Sequence, residues 1–130
     1  MDFLVGYDNS KESEHVLDLA KKYAKAFNAR IHFLSSTSYG PELETTEYED
    51  LKAALEKLKS DFLNDGIDCE THILSRSISP GEDLVDFAGR FSIDKIIIGS
   101  RKKSKIGILL LGSTAQYVVL EADCPVVIVK

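Results

Sequence analysis

Ile96-Ile97-Ile98-Gly99-Ser100-Arg101 is the stretch on which the fold turns. Three consecutive β-branched residues favour a strand. Because no polar residue alternates with them, both faces of that strand must be covered, as in the centre of a parallel sheet between helical layers. The segments on either side fit this reading. Upstream, Ser79-Pro80-Gly81-Glu82 has the form of a helix start, with an N-cap, a proline at the first helical position and a glutamate at the third. Leu84, Val85, Ala88 and Phe91 follow as that helix's buried face. Downstream, Ser113 and Gln116 have capping-box spacing and open a helix with Ala115, Val118 and Val119 inward. Val126-Val127-Ile128-Val129 is then a last apolar strand.

The same alternation extends to the N-terminus. Phe3-Leu4-Val5-Gly6-Tyr7 is an apolar run, followed by Asn9 as N-cap with Glu12 three residues on. Val16, Leu17, Ala20, Tyr23, Ala24 and Phe27 recur at helical spacing, and Ile31 to Leu34 reads as a second strand. Residues 36 to 47 are polar and include the turn signal Tyr39-Gly40-Pro41. Leu51, Ala54, Leu55, Leu58 and Phe62 mark a second helix closed by Asp65-Gly66. Residues 67 to 74 alternate, with Ile67, Cys69, Thr71 and Ile73 on one face and mostly polar groups on the other, which suits a strand near a sheet edge.

The pattern βαβαβαβαβ predicts one α/β domain over residues 1–130: a five-stranded parallel sheet of order 3-2-1-4-5 with helices on both faces. In such a sheet the ligand crevice lies at the carboxyl ends of the strands, where the strand order reverses. Here that means Gly6-Tyr7-Asp8 and Gly99-Ser100-Arg101. Sixteen basic and 21 acidic residues give a net charge of −5, which argues against general nucleic-acid binding. No apolar run approaches the ~20 residues of a membrane helix, and the N-terminus, without a basic segment or a cleavage site, reads as carrying no secretory signal. Cys69 and Cys124 have no metal spacing and read as reduced thiols in a cytoplasmic protein. His15, His32 and His72 share no zinc spacing and read as structural or surface residues.

Twelve residues separate Gly99 from Gly112, against the ~2–6 usual for a strand-to-helix connection. Arg101, Lys102, Lys103 and Lys105 concentrate positive charge in that loop. Gly112-Ser113 at a helix start offers N–H groups, a hydroxyl and the positive end of a helix dipole. Together these make phosphate a physically reasonable ligand. Neither a Walker P-loop nor a GxGxxG fingerprint is present.

The stretches 96–101, Leu109-Leu110-Leu111-Gly112-Ser113-Thr114-Ala115-Gln116 and Ala122-Asp123-Cys124-Pro125-Val126-Val127-Ile128-Val129 closely resemble the carboxyl-terminal signature of the universal stress protein family. Val5-Gly6-Tyr7-Asp8-Asn9-Ser10 resembles that family's first strand and turn. The resemblance implies an adenine nucleotide alpha hydrolase-like sheet, usually a homodimer, and a family with one branch that binds ATP or AMP and another that does not. The binding branch carries Gly-x2-Gly-x9-Gly-Ser/Thr. Gly99, Gly112 and Ser113 match it, while Lys102 stands in the place of the second glycine. That departure puts a side chain where backbone nears phosphate, although the side chain is itself a cation. By the same correspondence Asp8 would meet the adenine or ribose edge and Ser36 would line the base pocket. Arg101 would lie beside the phosphates, and Thr114 would lend them a backbone N–H.

Three functional classes follow from the resemblance. The preferred one is a non-enzymatic, nucleotide-responsive stress regulator binding ATP or AMP, with Mg²⁺ accompanying ATP. The second is a dimeric scaffold without nucleotide. The third is a slow ATP hydrolase, for which Asp8 is a thin catalytic inventory. No protein partner is named by the sequence. The apolar edge strand Val126, Val127, Ile128 and Val129 is expected to pair with its two-fold mate.

Overall fold

The computed structural model describes residues 1–8, 10–11, 13–36, 45–74, 79–103 and 109–130. Strand β1 (Asp2–Gly6) leads to helix α1 (Ser13–Phe27), β2 (Arg30–Ser36), α2 (Thr45–Asn64) and β3 (Cys69–Leu74). Helix α3 (Pro80–Arg90) and β4 (Lys95–Gly99) follow, then two short strands β5 (Arg101–Lys103) and β6 (Leu109–Leu111), α4 (Ser113–Glu121) and β7 (Val126–Val129). The main sheet is parallel throughout, in the order β3-β2-β1-β4-β7. With β7 as the fifth sheet strand, this is the predicted order 3-2-1-4-5.

The isoleucine run behaves as its sequence requires. Ile96, Ile97 and Ile98 are all buried, and they alternate between two cores. Ile97 joins Phe3, Val5, Phe33, Phe62 and the inner residues of α1 and α2 on one face. Ile96 and Ile98 join Leu4, Leu34, Leu84, Phe87, Ala115 and Val118 beneath α3 and α4 on the other. Burial of this kind contributes about 1.5–3 kcal/mol per large aliphatic side chain. No helix among the described residues is long and apolar enough to cross a membrane.

Local signals are mostly realised. Ser79 is extended and accepts the Glu82 N–H at 3.2 Å, with Pro80 in the first turn of α3. Gly66 has φ of +79°, a left-handed conformation that glycine reaches without strain, and it ends the α2 connection. Three expectations need correction. Ser113 is not a cap: Gly112 is the N-cap of α4, and Gln116 Nε2 instead donates to the Leu111 carbonyl at 2.9 Å. Val119 points outward, 47% exposed, because α4 buries only the Ala115–Val118 stripe. On α3 the buried aromatic is Phe87, whereas Phe91 is exposed and stacks on it at 4.3 Å. The expected Asn9–Glu12 capping box lies outside the described residues.

Candidate functional site

The carboxyl ends of β1 and β4 open into a cleft of about 430 Å³, a size within the range of small-ligand pockets. Its floor includes Gly6, Leu34, Ile98 and Gly99, and its walls come from the starts of α1, α3 and α4. Gly6 is needed for packing, since a Cβ there would lie 3.0 Å from Ile98 Cγ2. Gly81 lets α3 approach α4, where a Cβ would meet Tyr117 Cβ at 3.0 Å.

Six of the eight residues singled out in the sequence line this cleft: Asp8, Ser36, Gly99, Gly112, Ser113 and Thr114. Asp8 lies two residues past the end of β1. Its Oδ1 accepts the Ser10 N–H at 3.0 Å and the Ser13 hydroxyl at 2.8 Å, so the carboxylate organises the turn into α1 while facing the cleft. The Ser10 carbonyl then accepts the Ser13 N–H at 3.1 Å. Buried Ser35 donates its hydroxyl to the Tyr7 carbonyl, which locks the end of β2 to the end of β1. Tyr7 itself is held above its ordinary pKa, first by burial and then by the Asp8 charge, so it stays a neutral phenol.

On the opposite side, the Ser100 N–H donates to the Val129 carbonyl at 2.9 Å and the Ser100 carbonyl accepts from Gly112 at 3.2 Å. Buried Ser100 thus hangs the start of α4 on the end of β4. The N-cap Gly112 makes no side-chain cap bond, and Ser113 is exposed at the first helical position. The helix N-terminus is therefore open toward the cleft, an arrangement that favours anions. Gly99 makes no steric demand within the protein: a Cβ there would meet Val16 Cγ2 at 3.4 Å and the Val129 carbonyl at 3.9 Å, both ordinary contacts.

The connection from Gly99 to Gly112 is not a plain loop. β5 and β6 form an antiparallel ladder that pairs Arg101 with Leu111, Lys102 with Leu110 and Lys103 with Leu109. Arg101 and Lys102 therefore sit on a strand that leaves the cleft immediately after Ser100, while Lys105 falls outside the described residues. Tyr7 and Ser100, placed at the crevice by the strand order, also line it, whereas sequence reading missed Ser10 and Ser13. Serines two and five positions after Asp8 were the available signal.

A second cluster was missed altogether. His32, Glu70 and His72, which have no shared sequence spacing, meet across β2 and β3 on the α3 face. His15 takes no part in it.

The chain matches the universal stress protein family over residues 1–130. A universal stress protein encoded beside a sulfhydrylase in Thermus aquaticus is 32% identical, over 98% of this chain and 96% of its own length. A solved universal stress protein from Archaeoglobus fulgidus is 32% identical with a TM-score of 0.86, covering 100% of this chain and 98% of that one. Another structure from Archaeoglobus fulgidus, a complex with dAMP, is 29% identical with a TM-score of 0.82 at the same coverage. Sheet order, crevice position and sequence match agree, and this chain belongs to the universal stress protein family.

Proposed function

We propose that the cleft binds an adenine nucleotide, ATP or AMP, and that the protein acts as a homodimeric, non-enzymatic stress-response regulator. The observation that carries this reading is the open N-terminus of α4, with glycine at the cap and Ser113 and Thr114 behind it, facing Asp8 across the cleft. Phosphate oxygens would take the N–H groups of that turn and the Ser113 hydroxyl, aided by the helix dipole. Arg101 and Lys102, at the mouth of the same connection, would add positive charge. The base would rest on the apolar lining of Val16, Leu34, Leu84 and Ile98, with Asp8 and Ser36 as its polar contacts. The dAMP complex of the Archaeoglobus fulgidus relative supports this choice of ligand class.

Asp8 is the one carboxylate among the described lining residues. That favours binding over turnover, because phosphoryl transfer asks for a metal clamp and a positioned base. Mg²⁺ would arrive with ATP, retaining most of its waters, with Asp8 within the same cleft. The test is mass spectrometry of ligand released from protein purified without added nucleotide, joined to ATP titration calorimetry. Co-purifying AMP or ATP, or saturable heat, is expected. Clean protein with no heat up to millimolar ATP would instead assign the chain to the scaffold class. Turnover that rises with Mg²⁺ and disappears in Asp8→Ala would assign it to the hydrolases.

A further inference from the structure

We propose that His32, Glu70 and His72 form a binding site for one divalent transition-metal ion, Zn²⁺ being the cation their chemistry fits best. The site lies on β2 and the edge strand β3, away from the nucleotide cleft. Parallel pairing sets His32 opposite Glu70 and Leu34 opposite His72. All three side chains therefore project from the same face of the sheet, the one covered by α3. His32 lies four positions before Ser36 at the cleft, roughly 13 Å of extended chain.

The ligand atoms converge. His32 Nδ1 is 3.5 Å and His72 Nε2 is 3.6 Å from the same oxygen, Glu70 Oε2, and all three atoms lie within 4.8 Å of one another. A tetrahedral ion with bonds of about 2.0–2.1 Å needs ligand atoms about 3.3 Å apart, so both nitrogen-to-oxygen separations already fit and side-chain rotation has to draw the two nitrogens together by up to about 1.5 Å.

Two of these atoms are otherwise orphans. His32 Nδ1 and His72 Nε2 are buried and have no hydrogen-bond partner, and His32 is only 6% exposed. Native proteins rarely leave buried polar atoms unpaired. The His32 Nε2, 2.9 Å from Asp2 Oδ1, carries the proton donated to that carboxylate, which turns the Nδ1 lone pair toward Glu70. A histidine held by a carboxylate on its far nitrogen is a recurrent metal-binding arrangement.

A neutral His72 can turn an Nε2–H toward Glu70 Oε2, but neutral His32, whose N–H is committed to Asp2, still presents a bare Nδ1 lone pair to the same oxygen. One metal ion satisfies both nitrogens. The rings stack at 5.7 Å, so two imidazolium charges would repel each other. Two imidazoles with one carboxylate select zinc-like ions over Mg²⁺ or Ca²⁺, which prefer all-oxygen sites. Phe87 packs 4.8 Å from the His72 ring and dries one side, while half-exposed Glu70 leaves the other side open to an entering ion and a water ligand. Cys69 belongs to the core on the opposite face, so no thiolate completes the set. A bound ion would fasten the edge strand β3 to β2, which is where a sheet most needs protection from fraying.

The experiment is calorimetric Zn²⁺ titration of EDTA-stripped protein, with Co²⁺ absorption as an independent report of coordination. Glu70→Gln and His72→Gln are the variants, because both positions are partly exposed and tolerate change better than buried His32. One ion per chain is expected, with affinity reduced at least ~100-fold in each variant, beyond the ~10–100-fold that loss of an outer partner brings. The Co²⁺ bands should vanish with it, and circular dichroism should remain native. Absence of Zn²⁺ heat up to millimolar concentration would overturn the proposal. So would unchanged affinity in either folded variant.

Discussion

The Ser13 hydroxyl donates to Asp8 Oδ1 at 2.8 Å, an oxygen that also receives the Ser10 N–H at 3.0 Å. The carboxylate proposed to meet the nucleotide is therefore also the group that shapes the turn into α1. The two roles separate by substitution. Asp8→Asn keeps an acceptor and should change stability by less than about 0.5 kcal/mol. Asp8→Ala removes two charge-assisted hydrogen bonds and should cost about 1–2 kcal/mol in urea unfolding. If Asp8 also contacts the nucleotide, ATP affinity falls in Asp8→Ala by more than a well-folded turn mutant such as Ser13→Ala loses. Equal losses in the two variants would leave Asp8 a purely structural residue.

Ser113 offers a cleaner probe, because Gly112 and not Ser113 occupies the cap. Ser113→Ala should leave the melting temperature nearly unchanged and weaken ATP by about 1–2 kcal/mol, the value of one hydrogen bond to a charged group. A lowered melting temperature with unchanged affinity would show that the hydroxyl serves only the helix.

Lys102 stands where the nucleotide-binding branch has glycine, in a strand paired with Leu110. Charge compensation predicts that Lys102→Gly weakens ATP by about 1–3 kcal/mol, and by less at high salt, where screening has already reduced the attraction. Lys102→Gln, which keeps the strand, should reproduce most of that loss. Tighter ATP binding by Lys102→Gly at low salt would mean that the lysine obstructs the site.

β7 ends the sheet, and the carbonyls of Pro125, just before it, and of its own Val129 accept from Ile96 and Ser100 of the neighbouring segment. Main-chain groups alternate along a strand, so those of Val126 and Ile128 face outward. An antiparallel dimer through this edge predicts twice the monomer mass by light scattering at tens of micromolar. Ile128→Pro, which deletes an outward N–H and no internal ladder bond, should halve that mass. A parent protein that is monomeric at this concentration would rule the interface out.

Cys69 is buried between β3 and α2, and burial raises its thiol pKa to about 11. The unfolded chain ionises first, so stability from this residue is complete below about pH 9 and declines as pH rises toward 11. The loss should be on the order of 2 kcal/mol, and it should be absent from the pH profile of Cys69→Ala measured by urea unfolding. Parallel profiles for the two proteins would contradict the shift.

Ile96 to Ile98, the Ser79-Pro80 helix start and Gly66 were legible from sequence because each acts locally. A continuous β-branched run has to be covered on both faces, a proline fits the first turn, and a left-handed turn calls for glycine. From such elements the parallel sheet, its order and the ends of β1 and β4 as the crevice all followed. The resemblance to the family rested on equally contiguous motifs. The β5–β6 ladder was not legible, since cross-strand pairing of three residues leaves no periodicity to read in so short a segment. Nor was the role of Gln116, whose amide chose the Leu111 carbonyl over the predicted capping box only once β6 had placed that carbonyl in reach. His32 and His72 show the limit most clearly. Forty residues apart in sequence, they carry no spacing that signals a metal, and only the register between β2 and β3 brings their ring nitrogens to one oxygen of Glu70. Local conformational preference is written along the chain, but which side chains meet across strands is decided by pairing register, a property of the folded sheet and of no single segment within it.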